Sequence, residues 1–345
     1  MTWSEPGSRA REQVPLGPMT SFGLGGLARV FVPVNSSAEL SRTLDRARQA
    51  DLPVYVLGAG ANVLVQDDGI DGVVVQLRGG EFDRVTWDGP RVVAGAGVDM
   101  AKLTLAAVRR GLAGLECMAG IPGTVGGCVR MNAGGRFGEI GSVVRRVWTV
   151  DRGGSRREWN QSEMGFRYRG CALRDEIIER VEFELTPSDS EALMRRYREI
   201  WDYKRRSQPL GADSAGCVFK NPPGAHAGEL IDRAGLKGAA VGGASVSRHH
   251  ANFIVTSPGA RAGDVIELIE LIRRCVAKRF GIDLELEIDV WPRGIAAAGR
   301  PGCRAADGGA DRRTAAGADM PCCAGLQPMG RGQEPHAAGE GDGLL

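Results

Sequence analysis

The chain has 345 residues, enough for two or three domains and a sizeable core. Hydrophobic residues make up 43% and charged residues 25%, the proportions of an ordinary soluble globular protein, and the formal net charge of +2 makes no strong claim on nucleic acid or a membrane surface. No apolar run approaches the ~20 residues that span a bilayer, and Met1 to Pro18 lacks the basic region and apolar block of a signal peptide.

Residues 1–18 read as a loose lead-in. Thr20 to Gly26 is a first Gly-rich turn, feeding a strand over Ala28 to Pro33. Ser37 is placed to cap a helix from Ala38 to Ala50, with Leu40 and Leu44 as an apolar pair. A buried strand over Leu52 to Leu57 ends in a second Gly-rich turn, Gly58-Ala59-Gly60-Ala61-Asn62. A Rossmann fingerprint needs a third glycine and then a helix. Here Leu64 holds that place and β signals follow over Val63 to Val65 and Gly72 to Leu77, so the Rossmann reading fails. The amides of such a turn can still hold a phosphate.

Arg91 to Val98 repeats the pattern of strand into Gly-x-Gly, and Asp99 can cap a helix to Arg110. The third Gly-rich stretch runs from Gly120 through Ile121, Pro122, Gly123, Thr124, Val125 and Gly126 to Gly127 and on to Gly135. It has too many glycines for a helix or strand interior and too few charges for a solvated linker. Two readings stay open for it: a packed turn between core elements, or backbone laid along an acceptor-rich ligand.

Strands follow over Val143 to Val150 and Arg180 to Thr186, with Glu158 to Tyr168 between them. Glu191 to Arg206 reads as a helix with Leu193, Tyr197, Ile200 and Trp201 inward and its charge run solvated. Leu230 to Leu236 is helical, Ala251 to Thr256 a strand, Ala262 to Phe280 an amphipathic helix ended by Gly281, and Leu284 to Trp291 an alternating strand. Residues 294–345 hold almost no large apolar side chains and read as a disordered tail; Cys322, Cys323 and His336 gain no role there. The eight cysteines include no Cys-x-x-Cys pair and no His-rich set accompanies them, so no zinc site is expected and reduced thiols in a cytosol are.

Collinear motifs between residues 19 and 291 carry a resemblance. They are Thr20-Ser21-Phe22 with Gly25-Gly26, Leu57 to Val65, Ala119 to Gly127, Phe166-Arg167-Tyr168-Arg169, Ala215-Gly216-Cys217-Val218-Phe219-Lys220-Asn221-Pro222, and His250-Ala251-Asn252-Phe253-Ile254-Val255. In these the chain resembles the UDP-N-acetylenolpyruvoylglucosamine reductase (MurB) family, in its shorter subtype. The resemblance implies an α+β fold: a vanillyl-alcohol-oxidase-type FAD-binding domain of two lobes, over 19–80 and 81–190, and a smaller α+β substrate domain over 191–293. It implies FAD, non-covalently bound, NADPH as co-substrate, and hydride transfer to the enolpyruvyl group of a UDP-sugar. That places the protein in the cytoplasm, in peptidoglycan precursor synthesis.

The resemblance also implies site residues. Gly58, Ala59, Gly60, Ala61 and Asn62 are expected near the FAD pyrophosphate, and Gly120, Ile121, Pro122, Gly123, Thr124, Gly126 and Gly127 along the cofactor. Arg169 would hold the substrate carboxylate, a task that suits a planar guanidinium, although by itself it reads as a solvated loop arginine. Glu287 aligns with the family's catalytic glutamate, with Glu285 as the alternative. Cys217 departs from the usual serine proton donor; a thiol is the better acid, and the other reading is a small buried cysteine. Lys220 and Asn221 are expected at the substrate; His250 and Asn252 are further candidates there, with a structural hydrogen-bonding role equally open for both. Another flavin oxidase of this fold remains an alternative, as does a nucleotide-binding module without catalysis. Histidyl attachment of the flavin is excluded in the FAD lobes, because His226, His249, His250 and His336 all lie beyond them.

Overall fold

The computed structural model describes Trp3, residues 9–173 and residues 175–292. The expected tail over 294–345, Arg293, and residues 1, 2 and 4–8 of the expected lead-in lie outside the described residues.

The first lobe comprises β1 (Arg11–Pro15), β2 (Leu27–Val34), α1 (Ser37–Gln49), β3 (Val54–Val56), β4 (Val63–Val65) and β5 (Ile70–Leu77). Its sheet runs β1-β2-β5-β3, with β1 antiparallel to β2 and the other pairs parallel. The lead-in is therefore not loose: residues 11–15 add an edge strand, and Trp3 is buried against the core. Three charged or polar residues in a five-residue strand conceal it in the sequence. The cap of α1 is Ser36, one residue earlier than expected. Its hydroxyl accepts from the Glu39 N–H at 3.2 Å, and the Glu39 carboxylate accepts from the Asn35 N–H at 2.8 Å. Leu40 and Leu44 are buried beneath it.

The second lobe carries β6 (Val85–Asp88), β7 (Arg91–Gly95), α2 (Met100–Arg109), β8 (Leu112–Ala113), α3 (Val125–Arg130), β9 (Gly134–Gly135), β10 (Gly138–Glu139), β11 (Val144–Val150), β12 (Arg156–Asn160), β13 (Ile177–Glu184) and β14 (Thr186–Pro187). Five strands form an antiparallel sheet in the order β12-β11-β13-β7-β6. Asp99 caps α2 as expected, its carboxylate taking the Lys102 N–H at 2.9 Å. The two lobes share one apolar core, in which Val73 and Leu40 of the first join Val181 and Leu103 of the second.

The glycine-rich third stretch does contain a helix, α3, contrary to the expectation from its composition. Gly126 lies where a Cβ would stand 2.9 Å from the Cβ of Ala96, so the glycine lets the helix approach the neighbouring backbone. Tertiary packing outweighs the intrinsic cost of glycine.

Helix α4 (Ser190–Ser207) is capped by Asp189 and packs on α2 and the 3-10 turn at Glu116–Met118. Leu193 and Ile200 are buried as expected, but Tyr197 is half-buried and Trp201 is 40% exposed. Lys204 takes the inward place instead, at 9% exposure.

The C-terminal domain contains α5 (Ala227–Arg233), β15 (Ala240–Val241), β16 (Ala244–Val246), β17 (Ile254–Thr256), α6 (Ala262–Phe280) and β18 (Asp289–Trp291). Helix α6 has the expected bounds, with Val265, Leu268, Ile269, Ile272 and Val276 buried and Gly281 closing it in a left-handed conformation. The first-lobe carboxylate Asp67 accepts the N–H groups of Ala262 and Gly263, each at 3.0 Å. Phe22 and Leu64 of the first lobe enter this domain's core. The expected strand over Leu284 to Trp291 is reduced to β18, which pairs parallel with β4. The segment before it meets the Cys217 to Asn221 loop through an isolated Phe219–Leu286 bridge rather than a continuous ladder.

Candidate active site

The turn after β3 is shaped by close backbone contact. Gly60 has φ +67°, and a Cβ there would stand 2.0 Å from the Met19 carbonyl oxygen. The Ser21 N–H donates to the Gly60 carbonyl at 3.0 Å, locking the turn to the first Gly-rich segment. The N–H groups of residues 58–62 donate to no acceptor among the described residues. A run of free amides is an anion-receiving surface. Asn62 is partly committed: its Nδ2 donates to the Glu287 carbonyl at 3.0 Å, and its own carbonyl accepts from the Asp289 N–H at 2.9 Å.

Of the third stretch, the N–H groups of Gly120, Gly123 and Thr124 are equally free among the described residues. Others are not. The Ile121 N–H bonds Met118, that of Gly126 bonds Ala96, and that of Gly127 bonds the Thr124 hydroxyl. Pro122 has no N–H to offer. A groove of about 660 Å³ runs between the lobes, walled by Gly58, Ala59, Gln76, Gly123, Thr124 and Lys102. A second hollow of about 530 Å³ reaches the first Gly-rich segment and shares Gly58, Ala59, Gln76 and Arg78 with it. Free amides on both walls of a long groove fit a dinucleotide whose pyrophosphate needs donors rather than a metal or a Rossmann helix.

The chemistry-bearing side chains gather where the C-terminal domain meets the second lobe. Arg169 stands in a tight turn between Arg167 and Gly170 with φ +56°, a strained conformation for an arginine. Its Nη1 donates to the Gly134 carbonyl at 2.8 Å. Its Nε is 2.6 Å from the Glu287 carboxylate as an ion pair, yet the N–H is not aimed at that oxygen and makes no hydrogen bond. Both side chains are largely buried, 16% and 13% exposed. Burial raises the Glu287 carboxyl above the usual range, with Arg169 pulling it back. Glu285 lies in different surroundings, 77% exposed and paired with Lys220 at 3.3 Å.

Cys217 is set in place by its neighbours' backbones. Cys217 bridges Phe253, the Val218 N–H donates to the Asn252 carbonyl at 2.9 Å, and the Glu287 N–H donates to the Val218 carbonyl at 2.8 Å. Burial pushes the Cys217 thiol up to about 12, Glu287 adds to the rise, and Arg169 opposes it. Burial outweighs the guanidinium, so the group stays a thiol at neutral pH.

The expected substrate residues divide. Lys220 reaches Glu285, and Asn221 is half structural: its Oδ1 accepts from the Ala227 N–H at 3.0 Å and its N–H donates to the Tyr168 hydroxyl at 3.2 Å. His250 is held as a packing group, its Nδ1 accepting from the Asn252 N–H at 3.2 Å and its ring edge-on to Phe253 at 4.8 Å. Burial lowers its pKa, so it is neutral.

Two buried asparagines tie the loops of the site: Asn252, a sequence candidate for which a structural role is equally open, and Asn132, which sequence reasoning passes over together with a lysine. Asn132, 1% exposed, donates to Glu139 at 2.7 Å and to the Arg167 carbonyl at 3.1 Å, and so holds the turn that bears Arg169. Asn252 clasps Phe219 through both ends of its amide, at 3.0 and 2.8 Å, which fixes the loop after Cys217. The lysine is Lys204. Among the described residues no group of three His, Cys, Asp or Glu side chains gathers to hold a metal ion, and no helix is long and apolar enough to cross a membrane.

The two-lobed fold with its donor-lined groove defines an FAD-binding protein of the vanillyl-alcohol-oxidase type, with an added domain that brings Cys217 and Glu287 to Arg169 of the second lobe. Residues 28–159 match the FAD binding domain family, and residues 208–291 match the UDP-N-acetylenolpyruvoylglucosamine reductase C-terminal domain. The chain is 44% identical to UDP-N-acetylenolpyruvoylglucosamine reductase 2 of Symbiobacterium thermophilum, over 83% of this chain and 93% of that one. It is 44% identical to the reductase of Moorella thermoacetica, over 81% and 93%. The crystal structure of the reductase from Thermus caldophilus superposes with a TM-score of 0.71 at 41% identity, covering 83% of this chain and 99% of that one. The chain belongs to the UDP-N-acetylenolpyruvoylglucosamine reductase family.

Proposed function

We propose that the protein reduces UDP-N-acetylenolpyruvoylglucosamine to UDP-N-acetylmuramate with NADPH through non-covalently bound FAD, in the cytoplasm, as a step of peptidoglycan precursor synthesis. The observation that carries this reading is the convergence of Arg169, Glu287 and Cys217, with Glu287 tied through its carbonyl to Asn62 at the end of the free-amide turn. In this reading the two lobes hold the flavin, and the C-terminal domain brings Cys217, Lys220, Asn221 and Glu287 to the UDP-sugar.

The amides of residues 58–62 and of Gly120, Gly123 and Thr124 would hold the FAD. Once bound and reduced by NADPH, the flavin would supply a hydride for the terminal carbon of the enol ether. The electron pair of the double bond then spreads from the adjacent carbon into its carboxylate. Arg169 is suited to hold that carboxylate, because a buried guanidinium matches its two oxygens and stays charged. Substrate binding must then redirect Arg169 from Glu287. The raised Glu287 carboxyl takes up a proton more readily than a surface glutamate, and so can donate a hydrogen bond to the same oxygen while keeping that proton. The Cys217 thiol, kept neutral by burial, delivers its proton to the adjacent carbon and closes the lactyl ether. The resulting thiolate is reprotonated from solvent.

The test is stopped-flow reoxidation of the NADPH-reduced holoenzyme. Rapid reoxidation by the enolpyruvyl UDP-sugar under anaerobic conditions, and not by simple sugars or hydroxy acids, supports this reading. Reoxidation by dioxygen or a hydroxy-acid couple alone sinks it.

A further inference from the structure

Lys204 is a buried cation that the reaction above does not use. It lies in the last turn of α4 and donates from Nζ to the Ala119 carbonyl at 2.6 Å. Its stem and the Trp201 ring press on Gly120: a Cβ on that residue would stand 3.1 Å from Lys204 Cδ and 3.1 Å from the ring. Helix α4 therefore clamps the Ala119–Gly120 peptide, whose N–H is one of the free donors. Lys204 forms no ion pair with a carboxylate among the described residues. The titratable groups that face it are Cys117 on the 3-10 turn, Arg169 on the 167–170 turn and Cys128 on α3. Both thiols are themselves pushed up by burial, to about 11 and about 12, so neither neutralises it. Burial draws the lysine down to about 8, which leaves it protonated at neutral pH.

An unneutralised ammonium out of water is costly and concentrates where a site uses its field. Taking a hydride from NADPH adds two electrons and one proton to the flavin, and leaves one added negative charge until a further proton comes from solvent. A fixed cation nearby favours that product. We propose that Lys204 is a positioning residue for the flavin: its ammonium fixes the Ala119–Gly120 peptide and, with Arg169, adds positive charge beside the free Gly120 amide, so that FAD bound along that peptide is easier to reduce. The inference rests on the flavin-binding reading above.

The test compares midpoint potentials of the holoenzyme, titrated anaerobically against a reference dye at pH 7, for wild type, Lys204→Met and Lys204→Arg. Lys204→Met retains FAD, and its equilibrium for reduction falls about tenfold, about 30 mV for a two-electron couple. Lys204→Arg restores the wild-type value. A methionine variant that holds FAD at the wild-type potential overturns the proposal. If that variant loses FAD, wild type and Lys204→Arg are compared from pH 7 to 9.5. The wild-type potential then drops below that of the arginine variant above pH 8, as the lysine but not the arginine discharges; parallel curves overturn the proposal. A wild-type protein that binds no FAD defeats the functional reading itself and this inference with it.

Discussion

Arg169 and Glu287 meet at 2.6 Å across the junction between the second lobe and the C-terminal domain. The pair joins a residue in a strained turn to one in an irregular segment just before β18. Neither side chain is committed to the core, so the pair can open to admit a carboxylate. Glu287→Gln keeps the shape and removes the charge. Its NADPH-driven flavin reduction should stay near wild type, with reoxidation by substrate slowed roughly 10²-fold, the scale for a positioned acid or donor. Glu285→Gln, on the exposed neighbour, should change reoxidation by less than about threefold. Equal effects at both positions would mean that burial of Glu287 carries no catalytic weight.

The close approach of α3 to Ala96 makes opposite predictions for adjacent glycines. Gly126→Ala should lose about 1–3 kcal/mol by overpacking, read from the denaturation midpoint of the holoenzyme. Gly127→Ala, whose Cβ would find only the Thr124 hydroxyl at 3.5 Å, should be neutral or slightly stabilising. Equal stability of the two variants would remove the packing explanation for this helix.

Much of this architecture is legible in the chain, and the failures have physical causes. Helix α6 is predicted to its terminal residues because its apolar period and the left-handed Gly281 agree. Composition misleads at α3, since glycine there serves a tertiary contact that no local pattern encodes. Lys204 hides in a charge run because its partner is a carbonyl supplied by a different segment, at Ala119. The site residues are named by motif, but the choice of Glu287 over Glu285 comes from burial, and burial depends on where β18 docks beside β4. Asn132 gives no sequence signal at all, and the motif that singles out Asn252 does not say which loop it ties; both roles exist only once those loops are folded.

Flavin attachment gives a simple check. The described FAD lobes contain no histidine, so acid precipitation of the yellow holoenzyme should release all of its flavin to the supernatant. Flavin remaining with the pellet would contradict the non-covalent assignment.

The Cys217 thiol should also be slow to alkylate. Its pKa is raised, so the protonated form persists through neutrality and the reactive thiolate accumulates only as pH climbs toward about 12. Iodoacetamide labelling of its peptide at pH 8 should run roughly 100-fold or more below a free thiol, and the rate should still be rising at pH 10. A plateau near pH 7 would reveal a poised thiolate and count against an acid role.

The central claim is that Cys217 delivers a proton after hydride has reached the substrate, and separate half-reactions of Cys217→Ala test it most directly. Stopped-flow reduction of its flavin by NADPH should match wild type. Reoxidation by UDP-N-acetylenolpyruvoylglucosamine should slow by roughly 10²-fold or more, and Cys217→Ser should recover much of that loss. If both half-reactions of the alanine variant run at wild-type rates, Cys217 is a packing residue and the account of proton transfer is wrong.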